Sequence, residues 1–186
     1  MWSPDMTIRR LIRLAAAMMI AATTAACFQP LYGERSITGG SVVRDAMAAV
    51  DVAQIDAPKG TPLARIAVET RNDLVFDLTG GGGGAPPTHR LTIRLIPSAN
   101  TVIVDPLTQR AEFTSFGLDA NFTLTEIASA KNVLTGMTTT RVTYNVPGQQ
   151  QRFARARALR DAETRASQQI ADQIRSRLAS YFVAGT

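Results

Sequence analysis

The sequence is short of the residues that do covalent chemistry. It holds one cysteine, Cys27, and one histidine, His89. One cysteine cannot close an internal disulfide, and without a Cys/His cluster there is no zinc site. Neither Gly-x-Ser-x-Gly nor His-Glu-x-x-His occurs. Asp161 and Glu163 stand two apart in a helical stretch, so they face different sides and make no acid–base couple. A lone histidine at the start of a strand reads as an ordinary surface or core residue. No enzyme is expected from these residues, and no metal or cofactor.

Lysine is also scarce. Only Lys59 and Lys131 occur, and the formal net charge of +5 is carried by dispersed arginines rather than a basic block. Charge this scattered does not point to nucleic acid. The glycine run 80–84 follows a helical stretch and lacks both Gly-Lys-Ser/Thr and a Gly-x-Gly-x-x-Gly helix start, so it reads as a turn or linker. No apolar run reaches the roughly 20 residues of a membrane span. What remains is globular in character: 186 residues, 45% apolar and 19% charged, enough for one core.

The position of the single cysteine decides between a buried small residue, a reactive thiol and a processing site. Arg9, Arg10 and Arg13 precede an uncharged apolar stretch, "LAAAMMIAATTAAC". Its length and flanks fit the core of a secretory signal. Thr24-Ala25-Ala26-Cys27 resembles a bacterial lipobox, with Thr24 where Leu or Val is usual. Cys27 would then be lipidated and become the mature N-terminus, and several acyl chains on one residue would hold the protein on a membrane. Residue 28 is Phe rather than Asp, which under the usual sorting rule favours the outer membrane. Residues 1–26 are thus read as a lipoprotein signal and 27–186 as one periplasmic domain, with 27–49 its anchor and linker. Removing the signal takes away three arginines and one aspartate, leaving a net charge of +3.

The mature chain shows two periods. Residues 50–58 read as a short strand. Thr61-Pro62 reads as a helix cap followed by proline at the first helical position. Leu63, Ile66, Ala67, Thr70, Leu74 and Leu78 then recur at helical spacing until Gly80. From 88 to 147 the period is two: Leu91, Ile93 and Leu95, then Phe116, Leu118, Ala120, Phe122 and Leu124, then Leu134, Thr138, Val142, Tyr144 and Val146. Breaks are expected at Pro97-Ser98, Asp105-Pro106 and Lys131-Asn132. Such alternation predicts an antiparallel meander with one covered and one wet face. After Pro147-Gly148, a stripe of Phe153, Leu159, Ala162, Ala166, Ile170, Ile174, Leu178 and Tyr181 predicts a long helix. The order β-α-β-β-β-α predicts an α/β two-layer sandwich: about four strands, mainly antiparallel, covered on one face by two helices.

One electrostatic feature stands out. The last helix opens with Arg152, Arg155, Arg157 and Arg160, although helix N-termini favour negative charge. A solvated basic face would look the same. An anionic partner would turn the cost into a gain, because guanidinium pairs well with phosphate.

"CFQPLYG", residues 27–33, resembles the mature N-terminus of the LptE family of lipopolysaccharide-assembly lipoproteins, many of which carry Cys-Gly-Phe-x-Pro-Leu-Tyr-Gly. This chain lacks the glycine after the cysteine. The order of elements is similar along the whole mature chain. The resemblance implies a non-enzymatic outer-membrane lipoprotein that plugs the barrel LptD, assists its assembly and takes part in inserting lipopolysaccharide. By element, it implies that Arg110, Arg155 and Arg157 bind lipopolysaccharide. The competing reading is a stand-alone envelope lipoprotein that carries lipid or serves a transporter. That reading calls for a roomy groove between helices and sheet.

Overall fold

The protein was analysed as a computed structural model, which describes residues 40–104, 111–145 and 151–184. Cys27, the signal sequence, Asp105-Pro106, Arg110, Val146 and Pro147-Gly148 lie outside the described residues. The described residues from Val42 onward form one compact unit. Its elements are α1 (Gly40–Ala48), β1 (Val50–Val52), α2 (Pro62–Thr79), β2 (His89–Val104), β3 (Ala111–Glu126), β4 (Asn132–Asn145) and α3 (Arg152–Ala184).

The strands lie in the order β1-β2-β3-β4. β1 pairs with β2 in parallel, while β2, β3 and β4 form an antiparallel meander. The parallel pair is possible because α2 carries the chain back between β1 and β2. The start of α2 is set locally: Thr61 is extended, and its hydroxyl accepts from the Ala64 N–H at 3.3 Å, ahead of Pro62. Its end is set by Gly80, at φ 67°, whose N–H bonds the Phe76 carbonyl. The four-stranded α/β sandwich expected from the sequence is the fold observed.

Alternation divides the sheet into two faces. Leu91, Ile93 and Leu95, Phe116, Leu118, Ala120, Phe122 and Leu124, and Thr138, Thr140 and Val142 are buried on the helix side. Gly136 stands opposite Phe122, and a Cβ there would meet the ring at 2.6 Å. The other face carries cross-strand rows: Thr92–Thr123–Thr135, Arg94–Asn121–Met137, Ile96–Asp119–Thr139 and Ser98–Gly117–Arg141.

α3 covers β3 and β4 and packs beside α2. Ile170, Ile174 and Leu178 are fully buried there, as are Ala162, Ala166 and Ala171. The small residues let the helix lie close to its neighbours, and each large one buried stabilises the fold by about 1.5–3 kcal/mol. Thr138 and Thr140 are buried polar groups on β4. Their hydroxyls donate to the Gln173 and Gln169 side-chain oxygens, so α3 is tied along β4 as well as packed on it. Between the helices Arg65 pairs with Glu163, and Arg175 lies 3.9 Å from Asp77. Residue numbers rise together across these two contacts, so α2 and α3 run in the same direction. At the other end of α3, Phe182 meets His89 edge-on at 5.3 Å between ring centres.

Four expectations need correction. Residues 40–48 form a helix rather than linker, with Met47 buried against the core. The first strand stops at Val52 rather than 58; Ala53 donates one more bond to Leu91 and the chain then leaves the sheet, although Ile55 stays buried. Pro97-Ser98 does not break β2, because β1 pairs only with residues 89–91 and the uncovered edge tolerates proline. Phe153 does not join the buried stripe of the last helix: it is 94% exposed.

Candidate arginine-lined groove at the start of α3

The exposure of Phe153 follows from where α2 begins. Arg65, in the first turn of α2, already reaches Glu163. The residues of α3 before Glu163 therefore run on past the start of α2, and residues 151–157 are all exposed. The first turn contains no acid to balance the helix dipole. Among the described residues, no carboxylate forms an ion pair with Arg152, Arg155 or Arg157.

A groove of about 630 Å³ runs along this stretch, lined by Phe153, Ala154, Ala156, Arg157 and Arg160. Phe153, Arg157 and Arg160 are spaced four and three apart, which places them on one side of the helix. An aromatic ring and two guanidinium groups thus share one wall. Arg155 stands two residues from both Phe153 and Arg157 and points to nearly the opposite side. Of the three arginines singled out from the sequence, only Arg157 lines the groove; Arg155 does not, and Arg110 lies outside the described residues. The sequence does not single out Phe153 as a site residue, and it places Arg160 in the arginine cluster but not among the lipopolysaccharide-binding candidates. The signal that could have found them is the 153/157/160 spacing itself, which separates them from Arg155.

Arg160 is exposed but also acts on the protein through its charge. Glu163 is 3% exposed, and burial pushes its carboxyl above the ordinary value; Arg65, chiefly, and Arg160 pull it back. Arg160 thus stands between the groove that it lines and the field of a buried carboxylate. Such a surface suits an amphiphile carrying negative charge, with apolar contact at Phe153 and Ala156 and charge-assisted hydrogen bonds from Arg157 and Arg160.

The uncovered sheet face has a different chemistry. Arg141 donates to the Asp119 carboxylate at 2.8 Å and Thr139 also donates to it. Those hydrogen bonds hold Asp119 below its ordinary pKa. Around this pair lie threonine, asparagine and arginine, with Ile96 and Met137 as exposed apolar residues.

Among the described residues no cluster of His, Cys, Asp and Glu is placed to hold a metal ion, and no helix is long and apolar enough to cross a membrane. His89 has its Nδ1 2.8 Å from the Thr88 hydroxyl and its ring against Phe182.

The fold is similar to that of solved lipoprotein structures. A Caulobacter crescentus CB15 protein described as a lipoprotein matches with a TM-score of 0.57 and 19% identity, covering 77% of this chain and 97% of that one. Rare lipoprotein B from Shewanella oneidensis matches with a TM-score of 0.51 and 16% identity, over 73% of this chain and 96% of that one. Among curated protein sequences none is significantly similar. The profile of the family described as LptE, lipopolysaccharide-assembly, matches residues 47–178, which span β1, α2, the whole meander and most of α3. The chain belongs to the LptE lipopolysaccharide-assembly family.

Proposed function

We propose that the protein is an outer-membrane lipoprotein, anchored through Cys27, that seats in the lumen of the barrel LptD and engages lipopolysaccharide at the start of α3. The observation that carries the glycolipid part is the groove wall of Phe153, Arg157 and Arg160. It offers an aromatic face and two cations, and the ligand it fits has phosphate beside acyl chains. The barrel part is supported by the open sheet face. Barrel lumens are polar, and the rows of Thr, Asn and Arg opposite the helices suit such surroundings. The role is one of binding and positioning rather than catalysis.

The alternative of a free lipid carrier finds less support. The layer between helices and sheet is filled by Leu91, Leu118, Leu124, Ile170, Ile174 and Leu178, all fully buried. The groove lies instead at the overhanging start of α3.

The test compares two variants in lipopolysaccharide binding. Arg157→Glu with Arg160→Glu is expected to weaken binding about tenfold or more, since each charge-assisted hydrogen bond contributes about 1.5–3 kcal/mol. Arg155→Glu is expected to weaken it less. Equal effects, or none, would overturn the groove assignment. Purification of the tagged protein from gently solubilised membranes tests the barrel separately: LptD in stoichiometric amount is expected, and its absence would remove the plug reading.

A further inference from the structure

Among the described residues, the open face of the sheet carries five charged side chains: Asp51 on β1, Arg90 and Arg94 on β2, Asp119 on β3 and Arg141 on β4. Four of them are matched in place. Arg90 pairs with Asp51 at 3.1 Å across β2 and β1, and Arg141 pairs with Asp119 at 2.8 Å across β4 and β3. Arg94 has a different setting. It is exposed in mid-strand, opposite Asn121, with Thr92 and Ile96 as its neighbours along the same face. The carboxylate diagonal to it, Asp119, is held by both Arg141 and Thr139. The face thus balances its charges in pairs and has one guanidinium left over.

The surroundings of Arg94 are unusual for this face in a second way. Ile96 is 46% exposed and Met137 64% exposed, and they are the only exposed large apolar side chains on strands among the described residues. Both flank Arg94. Ile96 is the next residue along β2 on that face, and Met137 closes the Arg94–Asn121 row two strands away, at about 10 Å. A cation set between apolar anchors is the make-up of the centre of a protein contact, where arginine and methionine are enriched and water is excluded.

We propose that Arg94 is the residue that registers the open face in the barrel: it takes one carboxylate of the lumen wall, with Ile96 and Met137 packed beside the pair. The inference rests on the barrel reading above and names the wall chemistry that reading requires. A guanidinium moved from water against a protein wall loses solvation, and the loss is offset only by a counter-charge that also accepts its hydrogen bonds. A carboxylate does both, and the two-pronged geometry of the pair fixes orientation as well as position. The choice of a carboxylate over a glycolipid phosphate rests on the number of cations. The groove on α3 offers two guanidinium groups on one wall. Here Arg90 and Arg141 are already engaged by Asp51 and Asp119, so a single cation stands among Thr92, Asn121 and Ile96.

The test produces the tagged full chain together with LptD and measures the barrel recovered per tagged chain from gently solubilised membranes. Arg94→Glu sets like charges against each other and is expected to lower recovery about tenfold or more. Lys59→Glu, the same change of charge at an exposed site off the sheet, is expected to leave it unchanged. Arg94→Gln removes the charge without reversing it; it serves where the glutamate variant fails to fold, and should also lower recovery. Suppressors of Arg94→Glu selected in the barrel should replace an acidic residue of the lumen wall. Full recovery with both Arg94 variants would overturn the proposal and leave the barrel reading standing, whereas no barrel even with the unaltered chain would remove both. An equal loss with Lys59→Glu would reduce the effect to net charge and overturn the proposal as well. So would Arg94 variants that lose lipopolysaccharide binding while keeping the barrel.

Discussion

From Ala162 to Ala179, nine side chains of α3 are buried, Ile170, Ile174 and Leu178 completely; from Arg152 to Arg157 every side chain is exposed. One unbroken helix therefore has two regions with opposite relations to solvent. The buried region is held by apolar contact with β3, β4 and α2. The exposed region contributes no packing and carries cations where the helix dipole disfavours them by some tenths of a kcal/mol each. It is helical because elongating an existing helix is far easier than starting one. The difference teaches that the buried region supplies stability while the exposed one is free to be selected for binding, and Glu163 marks the border between them.

The comparison can be attacked by measurement. Ile174→Ala should cost about 2–5 kcal/mol, read from urea or thermal unfolding. Thr140→Val removes the bond to Gln169 without much change of shape and should cost about 0.5–1.5 kcal/mol. Phe153→Ala, by contrast, should stay within about 0.5 kcal/mol of the unaltered protein. If the Phe153 and Ile174 variants lost comparable stability, the division of α3 would be wrong.

The border itself has a pH signature. Burial raises the Glu163 carboxyl in the folded protein, so the stability it contributes is complete below its unfolded value and is lost as pH rises through the folded one. Stability of the unaltered protein relative to Glu163→Gln should therefore fall as pH rises from the ordinary carboxylate range towards neutrality. Asp119 has the opposite sign. Arg141 and Thr139 lower it, so its contribution is present above its unfolded value and disappears as pH falls through the folded one. Asp119→Asn should flatten the acid limb of the stability curve, and that is the smallest of the expected effects.

Much of the fold was legible because local chemistry and burial agree. The cap at Thr61, the proline after it and Gly80 bracket α2 at its observed ends. Alternation marked the buried faces of β2 and β3. The misreadings have long-range causes. Pro97 looks like a strand breaker until β1 is seen to stop short and leave it on an edge. Phe153 continues the apolar spacing of α3, yet nothing packs there, because α2 starts only opposite Glu163. Its period puts Thr138 on the covered face, but that Thr140 joins it there depends on partners from a distant element: Gln173 and Gln169 accept their two hydroxyls. The site was half visible: an arginine cluster is a fact of composition, but which arginines share an open wall depends on helical rotation and on the point where the neighbouring helix begins.

The placement of α3 last in element order bears on how the chain is made. A polypeptide emerging from its N-terminus outward completes β2, β3 and β4 before any of α3 is available. Until then Phe116, Leu118 and Phe122 have no lid, and a sheet with a bare apolar side invites association. The finished domain must await α3, because that helix alone covers β4 and most of β3.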